Sequence, residues 1–297
     1  MYETFFGLSA KPFSLLPDPD FLFLSKRHRT AVNLLEYGMV SQAGFIVVTG
    51  EVGTGKTTVV RSYLRNAGTD VSVGVITNSH KAFGRLLNWV TMAYELDHRG
   101  RDYVRLYTRF VEFLLARYAE GKRTVLIIDE AQNLQVDTLE ELRMLSNVNN
   151  ERDQLLQIVL VGQPELLETL KKAELRQFVQ RVTVHCNLDP LHHAETAAYI
   201  RHRLQVVGGT PAIFTDTVCR AVHYFTGGVP RLINMLCDFA MVYAFSEDLE
   251  EITLHTVIDV VRDREKDGLS PFQPLPGDPA QLLVPSDPPQ QLGASPA

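Results

Sequence analysis

A chain of 297 residues, 45% hydrophobic and 22% charged, with formal net charge −6, has apolar mass for one large or two medium domains with a full core. Its mild acidity gives no global pull toward nucleic acid or anionic lipid. No run approaches the ~18–20 apolar residues of a membrane span, Glu3 and Gly7 interrupt any secretory start, and Cys186, Cys219 and Cys237 are widely spaced with no second ligand at metal spacing, so they read as buried, reduced thiols.

Residues 1–24 carry three prolines, no helical period and several aromatics, which predicts a loop-like segment that docks on something. Ser25 then caps a helix running to about 41, with Ala31, Leu34, Leu35 and Met39 on one face. The β-branched run 45–49 reads as a buried parallel strand. It leads into Gly50-Glu51-Val52-Gly53-Thr54-Gly55-Lys56-Thr57 and a helix opening at Thr58. Strand, Gly-rich turn and helix are the context of a phosphate-binding loop. The glycines permit backbone angles and close approach that a Cβ blocks. Loop N–H groups then converge on phosphate oxygens at a helix N-terminus. Lys56 supplies a point charge for the β- and γ-phosphates, and Thr57 a hydroxyl for Mg²⁺.

A second strand follows at 71–77, ending at Asn78, then helices at 83–96 and 103–118. Residues 124–128 form an apolar strand ending in Asp129 and Glu130. A carboxylate at that end of a parallel strand lies at the ligand edge of the sheet. Asp129 is placed to hold Mg²⁺ through water, and Glu130 to polarise an attacking water. A helix at 136–149 and a strand at 155–162 come next, the latter ending at Gln163, between the phosphate-loop and Asp129 strands and near the γ-phosphate. Helices fill 164–180, Arg176 and Arg181 flank the last one, and a fifth strand at 182–186 closes the sheet. This predicts an α/β P-loop NTPase with a parallel five-stranded sheet, of the class with an additional strand and a glutamate for water activation, over residues 25–187. Helices at 196–206, 215–225, 231–245 and 253–264 predict a helical lid over 188–266, the third starting at Pro230. Eight of the fifteen prolines fall after Gly268, so 267–297 reads as a disordered, solvated tail.

Phe6-Gly7-Leu8, Lys11-Pro12-Phe13, the loop, Asp129-Glu130-Ala131-Gln132-Asn133-Leu134, Val161-Gly162-Gln163-Pro164 and Gly228-Val229-Pro230-Arg231 occur in one order and spacing. In that order they resemble the ExeA/GspA family of AAA+ ATPases, AAA_22 type, over about residues 1–264. The resemblance implies ATP and Mg²⁺ as ligands and a homo-oligomer, a ring or a filament. It implies that Gln163 is a first sensor and Arg231 a second sensor reaching from the lid. It further implies that Arg181, with Arg176 as the other candidate, is the finger supplied to a neighbouring subunit's ATP. Secretion ATPases of the family carry a membrane span and a peptidoglycan-binding domain after the ATPase, whereas a Pro-rich stretch follows here.

The expected activity is ATP hydrolysis that drives a bacterial secretion, cell-envelope or polysaccharide-export system, with cell-envelope assembly proteins as partners and a cytoplasmic or inner-membrane-peripheral location. The chain also resembles TniB/TnsC-type ATPases, which implies as alternative partners double-stranded DNA and a transposase. Lys26-Arg27-His28-Arg29, Arg99, Arg101, Arg105 and Arg109 are the candidate basic lining for that alternative. A nucleotide-gated scaffold with negligible hydrolysis is a third reading, and the intact Glu130 argues against it.

Overall fold

The computed structural model describes residues 1–16, 18–66, 70–77, 85–97, 102–149 and 153–277. The expected element ends at Asn78 and Phe83, the basic residues Arg99 and Arg101, and tail residues 278–297 lie outside the described residues. The chain forms two compact units, Lys26–Asp189, and Met1–Ser25 with Pro190–Ala297.

A one-turn helix, α1 (Tyr2–Phe5), opens the chain where the sequence predicts only loop. The first proline comes at position 12, so nothing bars a turn before it. The unit Lys26–Asp189 then runs α2 (Lys26–Val40), β1 (Phe45–Gly50), α3 (Lys56–Asn66), β2 (Val71–Ile76), α4 (Leu86–Ala93), α5 (Tyr103–Ala119), β3 (Arg123–Ile128), α6 (Val136–Leu145), β4 (Gln157–Gly162), α7 (Glu165–Leu170), α8 (Arg176–Val179) and β5 (Val182–Leu188). The strands form one parallel sheet in the order β2-β3-β4-β1-β5. Every residue of β1 and β4 is buried, and a strand covered on both faces needs their near-continuous Val, Ile and Leu. β5 alternates, with Val184, Cys186 and Leu188 inward and Thr183, His185 and Asn187 exposed, the pattern of a half-covered edge.

Two apolar layers hold the sheet. On one face, Leu35 and Met39 of α2 and Val59 of α3 pack with Ile46, Val48 and Val159. On the other, Val90, Phe110, Leu142 and Phe178 pack with Phe45, Leu126 and Leu160. β2 intervenes in sequence between the loop and Asp129, yet in the sheet it takes the outer edge beside β3. The strand between β1 and β3 is β4, which brings Gln163 beside both tips. α6 stops at Leu145, short of the expected 149. Ser146 Oγ donates back to the Arg143 carbonyl at 2.7 Å, and Asn149 turns into an isolated bridge with Gln154.

The other unit is helical: α9 (His193–Val206), α10 (Asp216–Thr226), α11 (Pro230–Ser246) and α12 (Leu254–Lys266). Thr215 and Thr253 side chains cap α10 and α12 by accepting from Val218 N and Thr256 N. Tyr2, Leu8 and Phe13 are buried in the same core as Ile200, Phe225 and Leu236. The Arg203 guanidinium stacks over Phe21, 4.5 Å from the ring centroid, and its Nε donates to the Pro12 carbonyl. The N-terminal aromatics therefore dock on the helical unit. The start of the tail does so too, against the expectation of a solvated 267–297. Phe272 is buried in that core, and Gln273 N donates to the Phe225 carbonyl at 2.8 Å. Leu275 packs against the same core and its N–H donates to Glu265 Oε1 at 3.1 Å, so a few contacts anchor the start of a Pro-rich stretch.

The three cysteines are free and buried, and burial pushes the Cys186 and Cys219 thiols up to about 11. Among the described residues no helix is long and apolar enough to cross a membrane.

Candidate active site

The loop between β1 and α3 is shaped by close approach. Gly50 has φ +156°, and a Cβ there would lie 2.5 Å from the Leu188 carbonyl oxygen. Gly55 has φ +96°, and its Cβ would meet His28 Nε2 at 3.1 Å. Glu51 and Val52 are exposed, Gly53 has φ +84°, and Thr54 is buried with its hydroxyl donating to the Glu51 carbonyl at 2.9 Å. Thr58 is half-buried in the first turn of α3. That turn, beginning at Lys56, presents N–H groups and the positive end of the helix dipole. Lys56 Nζ donates to the Gly50 carbonyl at 2.8 Å and the Glu51 carbonyl at 2.9 Å, which leaves one ammonium proton for a phosphate oxygen. Burial lowers the Lys56 pKa, while Glu130, Asp129 and Glu51 act in the opposite sense.

The tips of β3 and β4 meet this loop. Thr57 Oγ1 donates to Asp129 Oδ2 at 2.8 Å, and Glu130 N donates to Asp129 Oδ1 at 3.0 Å. Both oxygens of Asp129 are thus oriented. A hydroxyl and a carboxylate in contact make a hard-oxygen donor pair that fits Mg²⁺, an ion usually held by one or two carboxylates together with substrate phosphates and water. Among the described residues no cluster of three or more His, Cys, Asp or Glu forms a metal cage.

Glu130 has φ +54° and ψ +38°, a left-handed conformation that costs a residue with a Cβ about 1–3 kcal/mol. Neighbours hold it there. Gln132 Nε2 donates to Glu130 Oε2 at 2.6 Å, and Gln163 Nε2 donates to the same oxygen at 3.3 Å. Gln132 Oε1 in turn accepts from Gln163 N at 3.0 Å. One amide side chain thus ties the β3 and β4 tips together and aims the carboxylate. At the loop's entry, Thr49 Oγ1 donates to Asn187 Oδ1 at 3.0 Å and accepts from His185 Nε2 at 3.0 Å, fastening β1 to β5.

Lys56, Thr57, Asp129, Glu130 and Gln163 are brought together; Arg176 and Arg181 of the same unit are not part of that cluster. Arg181 is half-buried, its Nη1 donating to Ser146 Oγ at 3.1 Å and toward the Arg143 carbonyl at 3.4 Å. Arg176 is exposed on α8. Arg231 lies in the first turn of α11, in the helical unit.

Sequence reasoning missed two residues of the site. Gln132 is one; it stood in the quoted motif without a role. His28 is the other, placed by its neighbours in a basic run. It is buried, and its Nε2–H donates to the Thr54 carbonyl at 3.0 Å, so it props the phosphate loop from below. Arg27 beside it pairs with Asp189 at 3.3 Å, and Arg105 with Asp102 at 3.6 Å. The expected basic lining is in these places engaged within the chain. No local pattern separates a buried histidine from a solvated one in Lys-Arg-His-Arg; its distance to a loop 26 residues away does.

Comparison with known proteins follows this geometry. The AAA domain family matches residues 39–170. The general secretion pathway protein A of Aeromonas hydrophila is 42% identical over 253 residues, 85% of this chain and 46% of that protein. The chain spans about half the length of the curated relative it matches. Among solved structures, the Aeropyrum pernix ORC2 protein (ADPNP–ADP complexes) is similar with TM-score 0.65 at 15% identity, covering 86% of this chain and 72% of that one. CDC6P from Pyrobaculum aerophilum gives 0.63 at 18%, covering 85% and 71%. The RuvB Holliday junction branch migration motor of Thermotoga maritima gives 0.54 at 17%, covering 84% and 72%. At these identities the likeness is one of fold.

Proposed function

From its membership of the ExeA/GspA family of AAA+ ATPases, we propose that the chain binds ATP with Mg²⁺, hydrolyses it as an oligomer, and uses that cycle to assemble or remodel a bacterial secretion, cell-envelope or polysaccharide-export system. One observation carries the reading. The ends of β1, β3 and β4 converge so that a loop lysine, a hydroxyl–carboxylate pair and a buttressed glutamate face one place.

The contacts support the roles of the loop, Asp129 and Glu130, and the sensor and finger roles come from the family resemblance. The loop N–H groups and Lys56 hold the phosphates. Thr57 and Asp129 would hold Mg²⁺, whose charge would stabilise negative charge on the phosphate oxygens. Glu130, aimed by Gln132 and Gln163, accepts the proton of the attacking water. Gln163 also faces the γ-phosphate position as first sensor, and Arg231 is the second sensor from the helical unit. An arginine from a neighbouring copy, Arg176 or Arg181, completes the site. The secretion-type role rests on the Aeromonas relative.

The test is ATP turnover by the purified chain with Mg²⁺ and with EDTA, with and without double-stranded DNA, beside Lys56→Ala. Turnover should require Mg²⁺, vanish in Lys56→Ala together with ATP binding, and ignore DNA. Stimulation by DNA would shift the role to the transposition reading. ATP binding undiminished in Lys56→Ala would overturn the site.

A further inference from the structure

We propose that the free edge of β5, with the cavity beside it, docks an extended acidic peptide segment of a partner protein that carries apolar anchor residues. Three features of the Lys26–Asp189 unit converge on this. The first is the edge. Among the described strands β5 pairs with β1 alone, so its outer backbone groups over Val182–Leu188 enter no ladder. Proteins usually blunt such an edge with charge, proline or a cover. The strand Val-Thr-Val-His-Cys-Asn-Leu has no Lys, Arg, Asp, Glu or Pro, and Thr183, His185 and Asn187 are exposed. Apart from the register shift at Thr183, the stretch Val184–Leu188 is a regular edge without charge or proline, which invites an added strand.

The second feature is the cavity. It measures about 720 Å³ and opens beside that edge, with walls from Val47, Leu167, Leu170, Val179 and Val182. Val179 is 43% exposed, although its neighbour Phe178 is fully buried. Alternate side chains of an added strand project to the same side, about 6.5 Å apart. A segment laid along β5 would put side chains i and i+2 over the cavity, while its backbone paired with the edge.

The third feature is charge, and it decides the occupant. Lys171, Lys172 and Arg176 line the cavity, and among the described residues no carboxylate does. Lys171 pairs with Glu168, an exposed contact at 2.7 Å that solvent screens. Carboxylates flanking the anchors would meet these cations, giving specificity and a faster encounter. A second copy of this chain would offer its other edge strand, β2, but Val71–Ile76 carries no carboxylate to meet them. A foreign acidic segment fits better. Arg176, a candidate finger in the proposed oligomer, also lines this cavity, so the test leaves Arg176 in place, substitutes Val179 and Lys172, and reads peptide binding rather than turnover.

The experiment pans a display library of short random peptides against the full-length protein. The recovered sequence is then synthesised and titrated by fluorescence anisotropy into wild type, Val179→Asp and Lys172→Glu. Both positions are exposed, and thermal melting and ATP binding report that each variant is folded. The recovered peptides should share large apolar residues at i and i+2 flanked by Asp or Glu. Each substitution should weaken binding about tenfold or more, as loss of a central anchor or a paired charge does, and added salt should weaken it further. The proposal fails if no peptide binds saturably, if the recovered peptides lack acidic residues, or if neither substitution changes the affinity. It fails also if the chain self-associates through this face, shown by a dimer that Val179→Asp dissolves and that excludes the peptide; the occupant would then be a second copy.

Discussion

The tips of β1, β3 and β4 and the edge of β5 belong to one sheet and are built in opposite ways. At the tips nearly every polar side chain is bonded to another: Lys56 to loop carbonyls, Thr57 to Asp129, Glu130 to Gln132, Gln163 to Glu130. At β5 the backbone edge is unladdered, the neighbouring cavity is open, and Arg176 is exposed. Preorganised groups stabilise developing charge without reorganising as the reaction proceeds. On the proposed reading the contrast divides the labour: the tips make a nearly finished half-site, and the β5 side offers Arg176 to another molecule.

The sharpest way to break that division is at Arg176. An arginine given in trans can be worth ~10³–10⁵ in turnover. Arg176→Ala should lose activity on this scale while ATP binding and melting temperature hold. Mixed with Glu130→Gln subunits it should regain turnover, since one chain supplies the arginine and the other the base. Specific activity of the wild type should rise with protein concentration. A flat profile across dilution would make the half-site complete in one chain.

Glu130→Gln tests the tips alone. Loss of a general base costs ~10²–10⁴ in rate, and the amide keeps an oxygen for Gln132 and Gln163 to bond. Turnover should nearly stop while ATP affinity stays. Gln132→Ala should retain the base but free its aim, so kcat should fall more than ATP affinity. Equal losses in both would mean that Gln132 serves only the fold.

His28→Ala should act through the loop. It leaves the buried Thr54 carbonyl without its donor, a penalty of about 1–3 kcal/mol. If that penalty falls on the nucleotide-ready shape of the loop, ATP binding weakens by roughly 5–150-fold with kcat less affected. His28→Gln, which can donate to the same carbonyl, should recover part of the loss. Weaker melting with unchanged ATP affinity would reduce His28 to a packing residue.

What the sequence made legible divides along the same line. The loop and Asp129-Glu130 are local motifs set in strong strand and helix patterns, so the parallel sheet and most of the cluster could be read directly. Periodicity also placed the helices of the second unit, but not their docking partners. The contacts of His28 with Thr54 and Gln132 with Gln163 span 26 and 31 residues and leave no periodic trace. Phe272 was hidden by its composition, since a single aromatic in a Pro-rich stretch lowers no average yet helps to anchor the segment. α6 stops early where the backbone tightens into turns, Asn147 N to the Met144 carbonyl and Val148 N to the Leu145 carbonyl, which no periodic pattern marks.

The smallest expected effect falls on Arg181, and it tests the comparison most finely. The sequence resemblance favours Arg181 as the trans-acting finger, yet in the fold its guanidinium donates to Ser146 Oγ and toward the Arg143 carbonyl at the end of α6. A half-buried arginine with two such acceptors is a strut between α6 and the start of β5. Removing it should cost about 0.5–1.5 kcal/mol of stability, the usual net worth of such bonds. Ser146→Ala should cost a similar or smaller amount, and the double variant less than the sum, because the two side chains share one contact. Turnover per folded molecule should stay near wild type in all three. If Arg181→Ala instead abolished turnover, kept its melting temperature and was rescued by Glu130→Gln subunits, the strut would be one that assembly releases. Arg181 rather than Arg176 would then be the group that the β5 side presents to its neighbour.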